Sequence, residues 1–132
     1  MLLKSLAALV LLAPVAAMAA TSGASDAASS WLALVDKGAY ADSWTAAGSL
    51  FKSQITADKW AMALKSVREP LGAVASRKLA TETETASLPG APAGHYDVIT
   101  FTTSFASKSA ATETVVMAEE PAGWKPIGYF IK

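Results

Sequence analysis

Apolar residues recur at helical spacing through the first half of the chain and at strand spacing through the second, with the change of period at Gly72. Ala28, Trp31, Leu32 and Val35 stand at i, i+3, i+4 and i+7, which places them on one helical face. Ser25 or Asp26 is the expected N-cap of that helix, and Gly38 its end. Tyr40, Trp44 and Ala47 repeat the spacing on a second short helix that Gly48 terminates. Thr56 then offers an N-cap, and Trp60, Ala63, Leu64 and Val67 form the clearest periodic face in the sequence. Pro70 is expected to stop this helix, because the residue before a proline is pushed out of the helical region.

Beyond Gly72 the pattern alternates, and β-branched residues become frequent. Strands are predicted over 73–85, 96–105, 111–118 and 124–131. The Pro/Gly stretch from Leu88 to Gly94, the triplet Ser107-Lys108-Ser109, and the run from Glu119 to Gly123 serve as turns. Pro126 and Gly128 inside the last strand indicate an edge or a bulge. Helices first and strands after is the α+β pattern: N-terminal helices packed on one face of a C-terminal four-stranded antiparallel sheet.

The N-terminus changes how the rest is counted. Lys4 is followed by an apolar stretch beginning at Leu6, and Ala17-Met18-Ala19 has the small residues of a signal-peptidase site. The apolar run to Ala20 is fifteen residues long, short of the roughly 17 to 25 that span a bilayer. Residues 1–19 therefore read as a cleavable export signal, residues 20–26 as a flexible tether, and residues 27–132 as one domain. The expected location is periplasmic or secreted, with no stable membrane insertion after cleavage.

Removing residues 1–19 leaves ten basic against eleven acidic side chains. Without a basic face the chain is not expected to bind nucleic acid. It has no cysteine, so a lipid anchor and a disulfide are both excluded.

Several stretches carry a resemblance. They are Trp31 to Asp36 with Gly38, Tyr40, Ser43 and Trp44; Arg68-x-Pro70-Leu71-Gly72 with Ser76-Arg77; Leu88-Pro89-Gly90-x-Pro92-x-Gly94-x-Tyr96; Glu113-Thr114-Val115; and Trp124-x-x-x-Gly128-Tyr129-x-Ile131. In order and spacing the sequence resembles an uncharacterised bacterial family, domain of unknown function 4019, over essentially the whole mature chain. More distantly it is similar to the NTF2-like and ketosteroid isomerase-like group, so the resemblance implies an NTF2-like or cystatin-like curved sheet and no particular activity. Asp97 and Pro126 depart from the family pattern, standing where apolar strand residues are expected.

No catalytic motif is present. His95 is the single histidine, which leaves a histidine-based metal site without sufficient ligands; it reads as a solvent-facing residue at the end of the Pro/Gly loop. No metal or cofactor is called for. Alternation puts Arg77 on one face with Ala73, Ala75 and Leu79, and Glu113 on one with Ala111, Val115 and Met117. Arg77 and Glu113 are thus expected to form a structural ion pair on the inner side of the sheet, with Asp97 the second choice of partner. The competing reading lets Arg77, Asp97 and Tyr40 line a ligand cavity.

Three function classes follow. The first is a non-catalytic binding or accessory domain of the cell envelope, whose partner is an envelope protein or a small molecule. The second is a structural protein that forms a homodimer through its sheet. The third is a small cofactor-free isomerase or dehydratase with Asp97 as general base. Whichever holds, the exported protein is expected to begin at Ala20. Intact-mass measurement should show loss of residues 1–19, whereas a full-length chain held in the membrane fraction would contradict the reading.

Overall fold

The computed structural model describes residues 23–132; residues 1–19, read above as an export signal, and residues 20–22 of the expected tether lie outside the described residues. Four helices precede four strands: α1 Gly23–Asp36, α2 Tyr40–Thr45, α3 Ser49–Gln54, α4 Ala57–Leu71, then β1 Val74–Thr85, β2 Tyr96–Phe105, β3 Lys108–Glu120 and β4 Gly123–Ile131. The strands form one antiparallel sheet in the order β1-β2-β3-β4. The α+β arrangement expected from the change of period is the one observed. The helical half holds one element more than the sequence indicates, because α2 stops at Thr45 and Ser49 opens a separate turn of helix.

Helix α1 lies across all four strands. Its buried stripe is Ala24, Ala28, Trp31, Leu32 and Val35. The two alanines have no exposed surface, so the helix backbone comes close to the sheet at that end. Ala24 and Ser25 are already helical and buried, so the helix does not begin at a cap near Asp26, and residues 23–26 belong to it and not to a tether. Gly38, at φ 77°, closes the helix: its N–H donates to Val35 O, and that of Ala39 to Leu34 O, the pairing of a Schellman motif.

Three tryptophan indoles find acceptors inside the helical layer. Trp31 Nε1 donates to the Ser43 carbonyl at 2.8 Å, Trp60 Nε1 to Ser43 Oγ at 3.0 Å, and Trp44 Nε1 to the Ile55 carbonyl at 2.8 Å. Ser43 is wholly buried and serves two of these rings, so α2 is tied to α1 and α4 by polar bonds within an aromatic core. Trp31 stacks on Trp60 and meets the edge of Tyr129, which carries the contact on to the sheet.

Thr56 caps α4, its Oγ1 accepting from Lys59 N. The helix runs through Pro70 to Leu71 instead of stopping before the proline. In the last turn a proline forgoes little more than one backbone bond, and the actual stop is Gly72 at φ 77°, ψ −166°. The buried side chains of α4 are Trp60, Leu64 and Arg68. Val67, grouped by periodicity with the core, is 48 % exposed.

On the sheet, Ile99, Phe101, Thr103 and Phe105 of β2 and Ala111, Glu113, Val115 and Met117 of β3 are buried on the face that the helices cover. Strand β1 shifts register between Val74 and Ser76 and again between Leu79 and Thr81. These bulges set Val74, Arg77, Leu79, Glu82 and Glu84 opposite the inward residues of β2, so Ala73 and Ala75 do not share a face with Arg77 as plain alternation implies. In β4 a shift falls between the pairs Val116/Gly128 and Met117/Pro126. The proline sits on an edge strand at a bulge, and its carbonyl accepts from Gly48 N at 2.8 Å.

The two positive-φ glycines beside helix ends differ in surroundings. A Cβ at Gly38 meets nothing within 4 Å, whereas one at Gly72 lies 3.0 Å from Ala106 Cβ. Gly38→Ala is expected to cost about 1 kcal/mol through backbone strain alone. Gly72→Ala, in a region open essentially to glycine only, should cost about 2–3 kcal/mol. Urea denaturation of both variants checks this, and equal losses would contradict it.

Candidate functional site

The charged centre of the fold is assembled by six elements. Glu113 on β3 has no exposed surface. Its carboxylate accepts from Arg77 Nε of β1 at 2.8 Å, from Thr103 Oγ1 of β2 at 2.5 Å, and from the Tyr129 hydroxyl of β4. Arg77 turns its other two nitrogens to Asp36, the last residue of α1, with Nη1 to Oδ2 at 2.7 Å and Nη2 to Oδ1 at 2.9 Å. Arg68 of α4 donates to the same Asp36 Oδ1 through Nη2 at 2.8 Å. Its guanidinium also lies 5.0 Å from the centre of the Phe105 ring, a favourable place for a cation. Two cations and two carboxylates balance.

The geometry sets the protonation of the cluster. Burial alone would raise the pKa of Asp36, but hydrogen bonds from Arg77 and Arg68 outweigh it and hold the carboxyl below its ordinary value. Burial works against the Arg77 cation, yet the hydrogen bonds and charges of Asp36 and Glu113 fix it in the charged form. Burial, followed by the charge of Glu113, pushes the Tyr129 phenol well above its usual range. Tyr129 is therefore a firm hydrogen-bond donor to Glu113 at neutral pH.

All three guanidinium nitrogens of Arg77 are engaged within the protein. Asp97 is wholly buried on the inner face, but it lies six residues along β2 from Thr103, the register partner of Arg77. At about 3.3 Å per residue that is roughly 20 Å, so Asp97 is not the second partner of Arg77. Tyr40 opens α2 and packs, half buried, against the hydrophobic core. The structure thus brings Arg77 and Glu113 together and does not assemble Arg77, Asp97 and Tyr40 around one cavity.

Asp36 and Arg68 escaped the sequence reading. Arg68 continues the Trp60, Leu64 stripe at i+4, which is a legible signal. Asp36 stands at a helix C-terminus, where the dipole disfavours an anion and a cation partner is called for. His95 stands half exposed outside this cluster, with Nδ1 on Glu119 and Nε2 3.7 Å from Glu84. The hydrogen bond to Glu119, joined by the neighbouring charges, raises its pKa.

An apolar hollow lies elsewhere. A groove of about 310 Å³ runs between α4 and β4, with Trp60, Ala63, Leu64 and Val67 on one wall and Tyr129 to Ile131 on the other. Phe130 is 61 % exposed beside it. Neither this groove nor the hollows at the His95 turn, beneath the Pro/Gly loop and beside Trp124 is lined by Arg77, Asp97 or Glu113. Among the described residues no helix is long and apolar enough to cross a membrane.

The fold thus defines a small α+β domain with a neutralised polar core and an apolar groove at its edge. The profile of a family of proteins of unknown function, DUF4019, matches residues 27–129, and the chain belongs to this family. No curated protein and no solved structure matches the chain, and the distant likeness to NTF2-like proteins gains no support from them.

The cluster yields two expectations. The geometry sets the order of two losses, Arg77→Leu and Glu113→Ala. Losing Glu113 leaves Arg77 paired with Asp36, whereas losing Arg77 leaves a wholly buried carboxylate with no cation on it. Arg77→Leu should cost about 3–5 kcal/mol at pH 7 and Glu113→Ala less; urea denaturation giving the opposite order would refute this. The lowered folded pKa of Asp36 means that its pairing stabilises the protein above the ordinary value of 3.8. That contribution is lost as pH falls through the lower folded value. Asp36→Asn should therefore flatten the acid limb of the stability profile below about pH 4, and an unchanged limb would contradict the assignment.

Proposed function

We propose that the protein is a non-catalytic binding domain of the bacterial cell envelope, which takes an apolar group of its partner into the groove between α4 and β4. The observation that carries this reading is the separation of charge from cavity. The charges of Asp36, Arg68, Arg77 and Glu113 are paired with one another, with only Nε and Nη1 of Arg68 left buried without a hydrogen-bond partner, while the groove is apolar and has exposed Val67 and Phe130 on its walls. Soluble domains place large apolar side chains in a concave surface chiefly where something binds. The volume suits one or two side chains or a short acyl or aryl group. The envelope assignment rests on the residue pattern at 1–19.

A neutral apolar fluorophore, 1-N-phenylnaphthylamine, tests the groove. Saturable binding with blue-shifted emission is expected, and Val67→Trp, which fills the groove from a half-exposed position, should weaken it at least about tenfold with the melting temperature unchanged. Absence of saturable binding, or equal binding by the variant, would overturn the reading.

A further inference from the structure

The groove borders a stretch of the β4 sheet edge that the helices leave uncovered. Thr112 and Lys132 exchange both backbone hydrogen bonds, and Thr112 lies one residue before the Glu113/Ile131 pair. In an antiparallel ladder such mutual pairs alternate with pairs whose groups point away from each other. The backbone N–H and C=O groups of Ile131, and of Tyr129 opposite Val115, therefore face away from β3. Among the described residues nothing is bonded to them. Upstream the edge is closed, because the Pro126 carbonyl is taken by Gly48 and α3 lies against β4. Both residues with outward groups also form a wall of the groove, and α4 runs alongside them.

A free strand edge flanked by a helix with an apolar trough between them is the arrangement in which an extended segment adds as a further strand, main chain to main chain, with an alternate side chain in the trough. A second copy of this chain fits poorly as the occupant. Its own inward residues at β4 are Tyr129 and Ile131, which already line its own groove, and Tyr129 is tied by its hydroxyl to Glu113. The incoming strand has to bring an apolar side chain that is not already in use.

We infer that β4 between Gly128 and Lys132 is a strand-addition site for an extended segment of a partner protein, with alternating apolar residues of which one enters the groove between α4 and β4. This rests on the groove reading above and names the partner's chemistry. The segment donates to and accepts from Tyr129 and Ile131.

The decisive variant is Ile131→Pro. A proline there removes the outward N–H alone, leaves the ladder to β3 intact and suits an edge strand; Ile131→Ala controls for the lost side chain and keeps the N–H. Peptides selected on the mature protein from a random phage-displayed library are synthesised and titrated against wild type, Ile131→Ala, Ile131→Pro and Val67→Trp, with phenylnaphthylamine as competitor. The site predicts peptides of alternating apolar pattern that displace the fluorophore, lose about tenfold or more in affinity with Ile131→Pro and with Val67→Trp, and lose about threefold or less with Ile131→Ala.

Equal affinities for Ile131→Pro and Ile131→Ala would overturn strand addition while leaving the groove as a binding site. So would fluorophore binding with no selectable peptide. A free protein that is dimeric, and turns monomeric with Ile131→Pro, would overturn it in favour of a second copy. Failure of both fluorophore and peptides to bind would bring down the groove reading as well.

Discussion

A wholly buried carboxylate is the constraint around which this domain is arranged. Glu113 stands in the middle of β3, on the face packed by helices, where an ion without compensation costs several kcal/mol. Its partners come from each of the other strands: Arg77 from β1, Thr103 from β2 and Tyr129 from β4. Through Arg77 the demand passes to Asp36 at the end of α1, and from Asp36 to Arg68 on α4. A charge in the core thus ties the end of α1, one face of α4 and all four strands to one another. A cluster of apolar residues of similar volume would hold the layers together with less insistence on one arrangement.

The same economy explains where binding is sought. Because the charged groups neutralise one another inside the fold, their charges offer little to a ligand, and the concave surface beside them is apolar. It lies where α4 turns its Ala63 and Val67 flank towards β4. Arg68 has a part in this. Its place beside Trp60 and Leu64 in the interior rotates α4 so that Val67 stands at the margin and not in the core.

Periodicity made much of this legible. The change of period at Gly72 located the boundary between helices and sheet, and the β2 limits at Tyr96 and Phe105 coincide with those observed. Alternation on β3 placed Glu113 with Val115 and Met117, and the same rule on β1 turned Arg77 inward. The failures have local causes. The β1 bulges are backbone features with no residue signature, so Ala73 and Ala75 were assigned to the wrong face. Pro70 ended α4 too early because one proline in a final turn is tolerated. Val67 was grouped with the core because apolar identity outweighed angular position, whereas Arg68, at a better angle, was passed over as a charged residue. Asp36 is near Arg77 only through the crossing of α1 over the sheet, which no spacing along the chain records.

Whether the six-element cluster acts as one unit is open to a direct measurement. A double-mutant cycle between Asp36→Ala and Arg77→Leu, read by urea denaturation at pH 7, isolates their coupling. If the carboxylates and guanidinium groups hold one another in place as described, the two losses fall short of adding by about 1–3 kcal/mol. Losses that add within about 0.5 kcal/mol would show that Asp36 and Arg77 stabilise the protein independently, and the account of a single core charge organising both layers would be wrong.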